Sequence, residues 1–130
     1  MSSIFTKIIN QEIPCHFIAE SEHCFAFLDI RPVQPGHTLL ISKQEIDKFF
    51  DLEDLILTDL MRLSKRISAA LESVFPCNRV GIMVAGLEVP HAHMHLIPIN
   101  QIKDLNFSLG KATDEDLLSE TAILIRSKLV

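Results

Sequence analysis

The spacing of apolar and polar residues changes along the chain and marks out its elements. Ile4, Phe5, Ile8 and Ile9 recur with helical spacing behind Ser3, which predicts a short helix from Ser3 to about Asn10 capped by that serine. Pro14 closes the region. Phe17 to Glu20 and Phe25 to Ile30 are short β-prone runs joined by polar Ser21-Glu22-His23, so they predict two strands and a turn. Arg31 to Gly36 holds two prolines and a glycine and reads as a loop. His37 to Ser42, with Leu39, Leu40 and Ile41 at its centre, predicts a third strand.

Ile46 to Phe50 predicts a helical turn, and Asp51 is placed to cap a long helix running to about Val74. Leu52, Ile56, Leu60, Leu63, Ile67, Leu71 and Val74 form one apolar stripe along it. Glu53 and Asp54 suit its N-terminus electrostatically, and Pro76 ends it. Arg79 to Val84 predicts a fourth strand, and Ala85-Gly86-Leu87-Glu88 a turn into a fifth, Val89 to Pro98. Gln101 to Lys111 is irregular. Thr113 to Asp116 resembles a capping box for a last helix reaching about Lys128. The sum is α+β: an antiparallel sheet of about five strands with a long central helix and a C-terminal helix.

With 130 residues the expectation is one domain, 1–130. The formal net charge of −5 argues against electrostatic capture of nucleic acid, but not against a small anion held by backbone N–H groups and histidines. Cys15, Cys24 and Cys77 are an odd set without Cys-x-x-Cys spacing and read as reduced, packed thiols. No apolar run suggests a signal peptide or a membrane span, so the expected compartment is the cytoplasm, with no membrane partner.

The chemistry concentrates in the fifth strand. His91, His93 and His95 are three of the six histidines, and on a strand they share one face while Ala92, Met94 and Leu96 share the other. Single strand histidines are mostly inert. Three in alternation can bind a metal, relay protons, or present one ring as a nucleophile supported by the others. Asp29 ends an apolar run, where a carboxylate can clamp vicinal hydroxyls or merely accept in a turn. Phe5, Ile8, Phe27 and Ile30, with Leu28 beside them, suit a purine pocket and equally suit plain core packing.

His91-Ala92-His93-Met94-His95-Leu96-Ile97-Pro98 resembles the signature of the histidine-triad (HIT) nucleotide hydrolases and transferases. Ile4-Phe5-Thr6-Lys7-Ile8-Ile9 with Glu12-Ile13-Pro14, Phe25 to Pro32, and Pro35 to Ile41 resemble further parts of that family in the same order, and the whole resembles its bacterial Hint-like branch. The resemblance implies the HIT-like fold and a homodimer paired through the long helix and a sheet edge. It implies cleavage at the α-phosphate of a purine nucleoside conjugate, a phosphoramidate or a dinucleoside polyphosphate, without a cofactor. His93 would attack phosphorus. His91 would organise it through a backbone carbonyl, His95 would hydrogen-bond phosphate or assist proton transfer, and His37 would stand near the site. Asp29 would hold the ribose. Gly86 and the amides of Glu88 and Val89 would approach the phosphate.

Departures from the family pattern bear on the reaction. Leu87 stands where many members carry Gln, and Glu88 where some carry a hydroxyl residue. Counting back to the usual phosphate-binding Asn lands on Val80, with Asn78 two places off. Ser3 and Thr6 replace cysteines that hold zinc in some relatives, so no metal is expected there. Two rival readings are a zinc hydrolase with His91, His93 and His95 as ligands, and a nucleotide-binding sensor or scaffold with little catalysis.

Overall fold

The computed structural model describes residues 2–130. Helix α1 is Ile4–Ile9, and the Ser3 side chain accepts from the Thr6 amide as its N-cap. Strands β1 (Phe17–Glu20), β2 (Cys24–Leu28) and β3 (Thr38–Ser42) follow as an antiparallel meander. Helix α2 (Asp54–Val74) then crosses over to β4 (Arg79–Met83) and β5 (His93–Ile99). Helix α3 (Glu115–Ser127) closes the chain. All pairings are antiparallel, and the strand order is β1-β2-β3-β5-β4.

The period-2 alternation of the strands divides the sheet into two working faces. Ala26, Leu40 and Met94 lie in register across β2, β3 and β5, and all three are fully buried in the larger core. That core is completed by the stripe of α2, where Leu60, Leu63, Ile67 and Leu71 are almost wholly inaccessible, and by Leu118, Ala122 and Ile125 of α3. On the opposite face Phe27, Leu39 and His95 form one cross-strand row, and Phe25, Ile41 and His93 the next. α1 covers this face through Phe5 and Ile8, which cluster with Phe27, Leu39 and Ile41. Both helix layers are therefore needed: one buries the apolar face, the other roofs the face that carries histidine.

Several boundaries differ from the sequence expectation. α2 starts at Asp54 rather than after Asp51, because Leu52 and Glu53 are extended and Asp51 ends a short 3₁₀ turn, Phe49–Asp51. Leu52, placed just before the cap, is buried in the same cluster that Leu57 packs against, an arrangement like a hydrophobic staple. The expected turn at 46–50 lies later for the same reason. Asp114, not Thr113, caps α3 and accepts from the Leu117 amide. The irregular segment after β5 contains two further 3₁₀ turns, Ile102–Asp104 and Phe107–Leu109. Asp29 and Ile30 fall outside β2, and His37 falls outside β3.

The fifth strand is corrected most. It begins at His93, so His91 is not a member of an alternating strand face. The His91 amide turns back onto the Val89 carbonyl at 2.8 Å, and Ala92 donates to the Ile46 carbonyl at 2.7 Å. Those two bonds bend the chain before it can join the ladder. Ala92, Met94 and Leu96 are buried together in the larger core, as the alternation implied.

Candidate active site

His93 and His95 project from β5 onto the α1 side of the sheet and line a cavity of about 250 Å³ with Phe5, Ile8, Phe27 and Asp29. Leu28, Ile30, Glu88 and Val89 line it too. Gly86 borders a smaller adjoining hollow of about 100 Å³, shared with Leu87, Glu88, His93, His95 and Phe107. The turn there needs its glycine for conformation, not for room: φ is +76°, and an added Cβ would meet nothing within 4 Å. A larger apolar hollow of about 640 Å³, between Phe75, the 32–37 loop and α3, reaches Asp29 and His37 but neither His93 nor His95.

The hydrogen bonds fix the proton on every ring of the site, because each chain of bonds ends on a backbone group whose role is unambiguous. The Val33 amide donates to His37 Nδ1 at 3.1 Å, so the His37 proton sits on Nε2. His37 Nε2 then donates to His95 Nδ1 at 2.9 Å, which puts the His95 proton on Nε2. His93 Nδ1 donates to the His91 carbonyl at 2.6 Å, which leaves its Nε2 lone pair unclaimed among the described residues. His91 Nε2 donates to the Ser42 carbonyl at 2.7 Å and its Nδ1 accepts from Ser3 Oγ at 2.6 Å.

Burial favours the neutral rings these bonds require. It pushes the His95 pKa down to about 3, with His37 and His93 adding to the shift. His37 is lowered by burial against the pull of Asp29, and His91 by burial against the Ser42 carbonyl and Glu45. The Phe5 ring stands edge-on to His93 at 5.1 Å and to Phe27 at 5.7 Å, and the Phe107 ring lies tilted against His95 at 4.6 Å.

Asp29 serves in part as the turn acceptor that its position allowed. Oδ1 takes the Arg31 amide at 2.8 Å, while Oδ2 stands 3.6 Å from His37 Nε2 at the cavity edge. Asn78 is committed to Asn100 at the far end of β4, and no asparagine lines either hollow among the described residues. Leu87 is 93% exposed and offers no polar donor.

Asp29, His37 and His95 bring their ligand atoms within 4.8 Å of one another, a spacing a cation can use. The proton map does not fit one. A metal on His37 Nε2 would need a proton on Nδ1, where the Val33 amide already points. The three-histidine zinc arrangement fails too, since both nitrogens of His91 are taken.

Sequence reasoning missed several lining residues. Ile4, Ile13, Pro14 and Cys15 wall the cavity from α1 and the segment behind it, and Leu39 forms part of its floor. Leu39 was legible as part of the apolar run of β3. Phe107 was not, because its segment has no period.

The HIT domain family matches residues 10–102. The chain belongs to the HIT family. It is 41% identical over 96 residues to the adenosine 5′-monophosphoramidase HNT1 of Saccharomyces cerevisiae, a match covering 73% of this chain and 61% of that protein. It thus spans less than two thirds of the length of that relative. The adenosine 5′-monophosphoramidase hnt1 of Schizosaccharomyces pombe is 38% identical over 100 residues, covering 75% of this chain and 74% of its own. A HIT-like protein of Bartonella henselae has the same fold in its crystal structure, with a TM-score of 0.87 at 30% identity over 98% of this chain and 96% of the other. The five-stranded antiparallel sheet with three helices is the HIT α+β fold.

Proposed function

We propose that the protein is a nucleotide hydrolase or transferase that cleaves a purine nucleoside 5′-phosphoramidate at its α-phosphorus through a nucleotidyl intermediate on His93. The observation that carries this reading is the 2.6 Å bond from His93 Nδ1 to the His91 carbonyl, which turns the Nε2 lone pair into a directed nucleophile. The apolar walls at Phe5, Ile8, Phe27, Leu28 and Ile30 take the base, and the free Asp29 oxygen takes the ribose hydroxyls.

In the first step the His93 Nε2 pair forms the N–P bond. The P–N bond to the amine breaks with its electron pair on the leaving nitrogen, which takes a proton from solvent. In the second step water attacks phosphorus, the N–P bond returns its pair to His93, and a proton is released. His95 donates from Nε2 to a phosphate oxygen or the bridging atom. A neutral His95 that gave up that proton would become an imidazolate, so its part is a hydrogen bond. Gly86 and the Glu88 and Val89 amides lie beside the phosphate.

The lining supports an amine leaving group over a polyphosphate. Neither hollow has a Lys or Arg, and their only carboxylates are Asp29 and Glu88. A departing polyphosphate would find no cation and one exposed carboxylate. The two yeast relatives named as phosphoramidases point the same way. The exposed, apolar Leu87 favours a second reading, a nucleotide-binding sensor with little turnover. Turnover of adenosine 5′-phosphoramidate and of a diadenosine polyphosphate by wild type and His93→Gly decides between them. AMP released from the phosphoramidate by wild type only supports the enzyme. AMP bound without release by either protein supports the sensor.

A homodimer belongs to the same proposal. β4 is one edge of the sheet, and its Ile82 and the neighbouring Met61 of α2 are half-exposed around a hollow of about 360 Å³ shared with Val80 and Leu96. An unpaired edge next to an apolar patch is a surface that a second copy can cover. No helix among the described residues is long and apolar enough to cross a membrane.

A further inference from the structure

Glu45 sits in the loop after β3, exposed at the surface, yet its carboxylate is tightly engaged. Oε1 accepts from the Ser3 amide at 2.7 Å and from Thr6 Oγ1 at 2.6 Å. These bonds, Thr6 first, hold the Glu45 carboxyl below its usual range. Ser3 Oγ accepts from the Thr6 amide at 3.1 Å and donates to His91 Nδ1 at 2.6 Å. His91 is fully buried, and its other nitrogen is pinned to the Ser42 carbonyl. The His91 carbonyl finally meets His93 Nδ1.

We infer that Ser3 and Glu45 are positioning residues that hold His93 through His91, a relay from a surface carboxylate to the far side of the attacking ring. This rests on reading His93 as the nucleophile. The carbonyl that sets the His93 tautomer belongs to a residue outside β5, so no ladder bond locates it. Its location depends on where the His91 ring is tied. The loop after β3 grips the same stretch a second time through Ile46 and Ala92. The network also sets the roof, because Phe5, two residues beyond Ser3, lies edge-on to both His91 and His93. One device therefore registers the attacking ring against the wall of the base pocket. Small displacements of a reacting group cost large rate factors, so loosening this device acts on kcat more than on binding.

The test is steady-state turnover of adenosine 5′-phosphoramidate by wild type, Ser3→Ala, Ser3→Thr, Glu45→Ala, Glu45→Gln and His93→Gly. It is paired with long-range ¹H–¹⁵N spectra of the histidine rings. Ser3→Ala and Glu45→Ala are expected to lower kcat about tenfold or more while KM moves less than about threefold. Ser3→Thr and Glu45→Gln keep the hydroxyl and an acceptor oxygen, and restore most of the rate. The His93 ring reads as a single Nδ1–H tautomer in wild type and as a mixture in the alanine variants. Glu45 is exposed, so Glu45→Ala reports even if Ser3→Ala fails to fold. Wild-type kcat and an unchanged tautomer in Glu45→Ala, beside an inactive His93→Gly, overturn the relay alone. Turnover by His93→Gly overturns the nucleophile and the relay with it.

Discussion

His37 Nε2 donates a hydrogen bond to His95 Nδ1 across 2.9 Å, and the Val33 amide behind His37 keeps that direction from reversing. The pair is buried and neutral, and this has a pH signature. The His95 pKa is pushed down to about 3 by burial, then by His37 and His93. An unfolded histidine titrates near 6.5, so the unfolded chain takes up protons first as pH falls. The stability from this pair is complete above about pH 6.5 and is lost progressively on acidification toward 3. His95 alone costs roughly 2 kcal/mol by about pH 5. Thermal melts between about pH 7 and pH 5 measure this, and His95→Asn is expected to flatten the slope. A melting temperature constant over that window would contradict the neutral pair.

Asp29 has one oxygen spent on the Arg31 amide and one facing the cavity. Asp29→Asn replaces a charged acceptor with a weaker one. AMP binding, read by calorimetry, is expected to weaken about tenfold, which is roughly 1.4 kcal/mol. A nucleotide lacking both ribose hydroxyls should bind wild type and variant alike. An equal loss for that nucleotide would assign Asp29 to the loop instead of the ribose.

Cys15 gives an optical or mass readout of the base pocket. It lines the cavity, and burial raises its thiol pKa. Alkylation at Cys15 will therefore quicken as pH rises and slow when AMP is bound, while Cys77, outside that cavity, reacts at the same rate with and without AMP. Cys24 is wholly buried with its pKa pushed up to about 12, first by burial and then by Asp59. It is expected to stay unmodified in native protein. Alkylation of Cys15 indifferent to AMP would move the base elsewhere.

The pairing edge is tested by Ile82→Lys, which plants a charge in the patch beside β4. Sedimentation at micromolar concentration should show a dimer for wild type and a monomer for the variant, and only the wild-type melting temperature should rise with protein concentration. A monomeric wild type ends the proposal of a dimer.

Much of this was legible beforehand because two periods dominate the chain. The α2 stripe from Ile56 to Leu71 reports which face of the helix is buried, and the apolar run of β3 and the polar-apolar alternation at the start of β5 mark two central strands. Local chemistry placed Ser3 as a cap correctly. It misplaced the start of α2, because an acidic residue at 51 looks like a cap until Leu52 is drawn into the core. His91 was misread for a similar reason. Spacing cannot reveal that a residue two before a strand is bent away by bonds to Val89 and Ile46. Glu45 and Phe107 reach the site across long sequence distances from segments without a period, so nothing local announced them.

β3 and β5 lie side by side at the centre of the sheet, but the whole of α2 and β4 separates them along the chain. His93 rests in register against Ile41, and His95 against Leu39. Closing that long crossover spends chain entropy before any of these neighbours can reward it, so their pairing belongs to the later, slower part of folding. The four histidines acquire their proton arrangement only once that closure is complete. A partly folded chain therefore has no partly working site, and loss of activity on denaturation should coincide with loss of the sheet.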